Sequence, residues 1–133
     1  MCHEKPEPTL TTAEQLFFDP MPGMLPVYRA LRAKLFAAHP DMTVRTAKTQ
    51  ISFYNRRLFA CVSLPRKKLL GTLDAALLVT IGLGARRASP RVVCAVEPYP
   101  GRWTHHVLVA DADDLDDELL CWLDEAYAFS MAK

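Results

Sequence analysis

The sequence contains no apolar run long enough to cross a membrane, and its opening, Met1-Cys2-His3-Glu4-Lys5-Pro6, lacks the apolar stretch of a secretory signal. Its four cysteines, Cys2, Cys61, Cys94 and Cys121, are far apart and form no CxxC pair. That spacing argues against a structural zinc site and for free thiols in a reducing compartment. P-loop, GxGxxG, HExxH and nucleophile-elbow motifs are missing, as are repeats and low-complexity segments. Together these absences point to a soluble, cytoplasmic domain with no resident metal or cofactor, and away from an enzyme.

What is present is an ordinary globular composition. At 133 residues, half of them hydrophobic, the chain can bury one real core. We read residues 1–10 as a flexible N-terminal tail and residues 11–133 as a single domain. The charge is near balance overall but uneven along the chain. From Asp41 to His106 there are eleven Lys and Arg against three acids; from Val107 to Lys133 there is one Lys against eight acids. The expectation is that the acidic C-terminal segment lies near the basic loops and cancels much of their field.

Thr11 and Thr12 precede Glu14 and Gln15 as two overlapping capping boxes, predicting a short helix through Phe18. Asp19-Pro20-Met21-Pro22-Gly23 breaks it. A second helix is expected from about Met24 to Ala38, buried through Leu25, Tyr28, Leu31, Leu35 and Phe36, with Arg29, Arg32 and Lys34 mostly elsewhere. Strands are expected over Thr43 to Tyr54, Leu58 to Leu64, Ala75 to Leu83, Arg91 to Glu97 and Trp103 to Ala110. Asn55-Arg56-Arg57 reads as a hairpin turn, Pro65-Arg66-Lys67-Lys68 as a basic loop, and Val92, Cys94 and Val96 as one face. Asp113 is expected to cap a long helix running to about Ser130, with acids in its first turns. The order predicts an α+β, two-layer sandwich: a mainly antiparallel sheet of about five strands, two N-terminal helices and one long C-terminal helix.

Two segments carry polar chemistry. In Pro98-Tyr99-Pro100-Gly101-Arg102-Trp103-Thr104-His105-His106 a tight turn delivers a guanidinium, an indole and two imidazoles to the start of a strand. Alternation puts Trp103 and His105 on one face and His106 on the other, so the histidines do not converge on one metal. This leaves one working and one structural imidazole, with the assignment open. In Lys48-Thr49-Gln50-Ile51-Ser52-Phe53-Tyr54-Asn55, Lys48, Gln50, Ser52 and Tyr54 share a face opposite Ile51 and Phe53.

These motifs resemble those of DUF5655, a bacterial family catalogued only as a domain of unknown function. The similarity extends to Phe17-Phe18, Leu31-Arg32, Phe59-Ala60 and the Asp116 to Tyr127 ending, and so spans about Leu16 to Ser130. The resemblance implies a small α+β layout and no assigned reaction. It also implies a domain found attached to others, which fits a binding module.

The function expected is therefore a non-catalytic module that binds a small polar or anionic ligand, or a protein partner, through Lys48, Gln50, Ser52, Arg102, Trp103, His105 and His106. One alternative is a nucleic-acid-associated protein using Arg56, Arg57, Arg86 and Arg87. The other is a hydrolase or transferase with a histidine base. Strands that read as apolar on both faces, with few helices to cover them, also predict a homodimer.

Overall fold

A computed structural model of the chain describes residues 8–71 and 73–132. Its elements run α1 (Thr12–Phe17), α2 (Leu25–Ala38), β1 (Thr43–Thr46), β2 (Ile51–Tyr54), β3 (Leu58–Ser63), α3 (Lys67–Leu70), β4 (Leu77–Leu83), β5 (Val92–Tyr99), β6 (Arg102–Val109) and α4 (Asp117–Met131). Single 3-10 turns lie at Pro22–Met24 and Ala112–Asp114. The fold is α+β. One six-stranded antiparallel sheet has the order β1-β2-β3-β4-β6-β5.

The sheet has six strands rather than about five because the first expected strand is a hairpin. A backbone hydrogen bond from Ala47 N–H to the Gln50 carbonyl (2.8 Å) closes a turn over Lys48 and Thr49. A short helix, α3, takes up part of the expected basic loop. The C-terminal helix starts later than expected. Asp116 is its cap, accepting from Leu119 N–H at 3.0 Å, while Asp111 caps the preceding 3-10 turn. In β5 a register shift between Val92 and Cys94 puts Val92 opposite Val107 and Cys94 opposite His106. The two side chains thus take different faces, where simple alternation had put them together.

Alternation divides the sheet sharply. Ile51 and Phe53 (β2), Ala60 and Val62 (β3), Val79 and Ile81 (β4) and Val107 and Val109 (β6) are fully buried on one face. Tyr28, Leu31 and Leu35 of α2 and Leu119, Leu123 and Ala126 of α4 join them in a single core. α4 packs on β3 and β4, and the Phe18, Tyr28 and Phe53 rings run in sequence from α1 to the sheet.

The connection from β4 to β5 is unusual. These strands are parallel to each other with β6 between them, so residues 84–91 must cross β6. They cross on the helix side, pinned to α4. Arg87 pairs with Glu125, and Arg91 pairs with Asp116 (2.6 Å) and Glu118 (3.3 Å). The acidic helix does lie against this basic loop.

Arg32, which helical spacing had put outside the buried stripe, is only 3 % exposed, and Glu14 is 1 % exposed. Glu14 closes the capping box with Thr11, accepts from the Tyr28 hydroxyl and pairs with Arg32 Nε at 2.8 Å. Arg32 also donates to the Pro8 and Thr9 carbonyls (2.7 and 3.5 Å). Within the expected tail, residues 1–7 lie outside the described residues, and Pro8 and Thr9 are held by this guanidinium. Burial pushes the Glu14 carboxyl up, but hydrogen bonds from Tyr28, the Thr11 backbone and Arg32 outweigh it and hold the pKa below the ordinary 4.5.

Glu14→Gln should therefore destabilise the protein by about 3–5 kcal/mol in urea unfolding, because it strands a buried guanidinium. A carboxyl with a lowered folded pKa stabilises fully above its ordinary pKa, and that share is lost as pH falls through 4.5 toward the folded value. The substitution should remove this part of the acid sensitivity. An unchanged urea midpoint would show that the triad does not anchor α1.

Candidate functional site

The sheet face away from α2 and α4 is where the polar motifs meet. The register aligns Arg45, Ser52, Cys61, Thr80, His106 and Cys94 in one row across all six strands. In β4 the residues on this face are Leu78, Thr80 and Gly82, a polar interruption of an otherwise apolar strand. The charged residues that the register puts on this face are Arg45 and Arg102, with no Asp or Glu among them.

Arg102 reaches the centre of the face because Gly82 has no side chain. A Cβ on Gly82 would lie 2.7 Å from Arg102 Cζ, so the guanidinium rests directly on strand backbone. It has no ion-pair or hydrogen-bond partner among the described residues. Pro100-Gly101 delivers it: Gly101 adopts φ 83°, as the third position of a type II turn requires.

The same face carries neutral donors and acceptors. Gln50 Nε2 donates to Ser52 Oγ at 3.0 Å. Ser52 is buried, and the register sets it opposite Cys61 on the neighbouring strand. Burial pushes the Cys61 thiol up, against the opposing effects of Ser52 and the Arg102 charge, so it stays protonated at neutral pH. His106 Nδ1 lies 2.9 Å from Thr80 Oγ1, and burial lowers the His106 pKa, so the ring is neutral there too.

The other expected site residues fall elsewhere. Lys48 lies in the exposed β1–β2 turn at the end of the sheet opposite Arg102; Gln50 follows that turn just before β2, and Ser52 lies on β2. Trp103 and His105 face the helices. His105 is the structural imidazole. It is 1 % exposed, and its Nε2 accepts the Arg87 N–H at 2.9 Å, which pins the crossover to β6. Its Nδ1 is buried without a hydrogen-bond partner among the described residues. Burial lowers the His105 pKa, and Arg87, Arg86 and His106 add to this against the Trp103 backbone. The bulky Trp103, expected to wall the site, instead pairs with Leu83 on the far face.

Of the residues expected to meet nucleic acid, Arg87 is paired with Glu125, whereas Arg56, Arg57 and Arg86 make no ion pair among the described residues. Neither His105 nor His106 has a carboxylate within hydrogen-bond reach among those residues. No group of three or more His, Cys, Asp or Glu is placed there to hold a metal ion. Cavities of about 360 and 250 Å³ flank Arg32, and one of about 260 Å³ lies between the crossover and β5. No described helix is long and apolar enough to cross a membrane.

Sequence reasoning missed Cys61, Thr80 and Gly82. Thr80 and Gly82 were legible as alternate positions in β4, but Cys61 had been read only as a free thiol. The apolar outer face that prompted the homodimer expectation carries Ser52, Thr80 and His106 in its central row.

The fold and this face define a single-sheet α+β domain whose uncovered face presents an arginine among neutral polar groups. The chain belongs to the family described as "Domain of unknown function (DUF5655)", whose model matches residues 13–130. No curated protein and no solved structure matches the chain.

The imidazole assignments are open to titration. Both rings should titrate below 6.5 in NMR, with the neutral His105 carrying its proton on Nδ1. Each such histidine lowers stability as pH falls through 6.5, because the unfolded chain then binds more protons. A His105 pKa above 6.5 would contradict its place beneath the crossover.

Proposed function

We propose that the chain is a non-catalytic binding module and that the uncovered sheet face takes a small anion, a carboxylate or a phosphate. One observation carries this reading: the Arg102 guanidinium rests on Gly82 without a counter-ion among the described residues. A guanidinium offers a planar fork of donors that matches these anions. Arg102 supplies the charge. Ser52 and Gln50 orient the ligand with hydroxyl and amide groups, and His106 offers the ring edge that Thr80 leaves open.

Catalysis is the weaker reading. The Cys61 thiol is held protonated by burial, so it is a poor nucleophile at neutral pH. His106 spends Nδ1 on a threonine hydroxyl and has no acid among the described residues to orient it as a base. Lys48, Trp103 and His105 do not enter the proposed site.

Thermal melts in inorganic phosphate, acetate and citrate, at constant ionic strength with chloride as control, test the proposal. At least one of the anions should raise the melting temperature saturably. Arg102→Gln should weaken that binding about tenfold or more, the loss expected for a charge-assisted hydrogen bond. Gly82→Ala should do the same while folding normally, because its methyl displaces only the far end of a flexible side chain. Anion protection that survives in both variants contradicts the proposal.

A further inference from the structure

The strand register gathers more cations beside Arg102 than the sheet face alone contains. Tyr54, Leu83, Tyr99 and Arg102 all lie at the same end of the sheet. The β2–β3 turn with Arg56 and Arg57, the start of the crossover with Arg86, and the β5–β6 turn with Arg102 therefore converge there. Arg56, Arg57 and Arg86 are exposed. None of the four arginines has an ion pair among the described residues.

The carboxylates nearby are mostly engaged. Glu125 holds Arg87, Asp124 holds His39 at 3.0 Å, and Glu97 accepts the Gly101 N–H at 3.3 Å; Asp41, in the α2–β1 connection, has no such partner among the described residues. Aromatic rings stand among the cations. Tyr54 lies at the end of β2 with Arg45 Cζ 5.1 Å over its ring, and Tyr99, at the end of β5, is 49 % exposed. Along the strand order these turns sit about one and a half strand spacings apart, roughly 7 Å. A single small anion reaches one of them, and only a linear polyanion reaches all three.

We infer that this end of the sheet binds single-stranded nucleic acid. Successive phosphates pair with Arg57 or Arg56, Arg86 and Arg102, and bases stack on Tyr99 and Tyr54. Spaced guanidiniums beside an exposed ring such as Tyr99 and a half-buried one such as Tyr54 are a combination that single strands use, because every base has a stacking face and every phosphate a charge. An acidic peptide would use the charges but not the rings. The inference rests on the reading of Arg102 as an anion contact and extends it to a chain of anions.

Fluorescence anisotropy of the full chain with a labelled mixed-sequence 12-nucleotide single strand tests it, with poly-glutamate of similar length as competitor. Binding should weaken with salt, and Arg56→Ala with Arg57→Ala should reduce affinity about tenfold or more. That double variant should also lower the log–log salt slope by about 0.7 for each phosphate left without its arginine. Tyr99→Ala should weaken the oligonucleotide about tenfold and leave poly-glutamate unchanged, after a melt confirms that the variant folds. No oligonucleotide binding while inorganic phosphate still protects through Arg102 overturns this inference and leaves the small-anion reading standing. Equal loss of both ligands in Tyr99→Ala, or poly-glutamate binding as tight as the oligonucleotide, overturns the assignment to nucleic acid.

Discussion

The sheet buries one face beneath α2 and α4, and on its other face one arginine lies on one glycine. Ser52 and Cys61 are buried on this face. The Arg102 guanidinium lies on the same face because β4 lacks a side chain at Gly82. That packing leaves a cation without an ion-pair partner among the described residues. A buried or half-buried charge normally meets a carboxylate or water. The absence of acids from this face is therefore its defining chemical property.

The acids are concentrated on α4 and the turn before it, and they have work of their own. The crossover from β4 to β5 has no helix to stabilise it, so it is fastened by Arg87–Glu125, by Arg91 with Asp116 and Glu118, and by the imidazole of His105 beneath. His39 joins α2 to α4 through Asp124 and stacks on Tyr127 at 3.8 Å between ring centroids. These local pairings absorb the basic crossover and its acidic neighbour. The arginines at the far end of the sheet are left outside them. The near-zero net charge of the chain thus hides a separation of charge in space.

The layer architecture was legible because strong local signals agreed with it. The capping box at Thr11 and Glu14, the stripe through Tyr28, Leu31 and Leu35, and the alternation of Ile51 and Phe53 against Ser52 all read directly from residue order. The Ala47–Gln50 turn was hidden because it contains no glycine or proline, so a hairpin read as one strand. Arg32 was misplaced because periodicity cannot anticipate a buried carboxylate partner eighteen residues earlier. At the candidate site, alternation separated His105 from His106 correctly. It could not say which side the helices would cover, and strand order alone decides that Lys48 and Arg102 lie at opposite ends. The face of Gly82 could be read from alternation, but its role could not, since that depends on a side chain from another strand.

The guanidinium over Gly82, unpaired among the described residues, is the feature on which the binding reading stands. A crystal structure of the chain grown in phosphate tests it most directly. The expected result is a phosphate on the uncovered sheet face, held by Arg102 and within hydrogen-bond distance of Ser52 or His106. An Arg102 side chain turned into bulk solvent or paired with a carboxylate, with that face left bare at saturating phosphate, would contradict it.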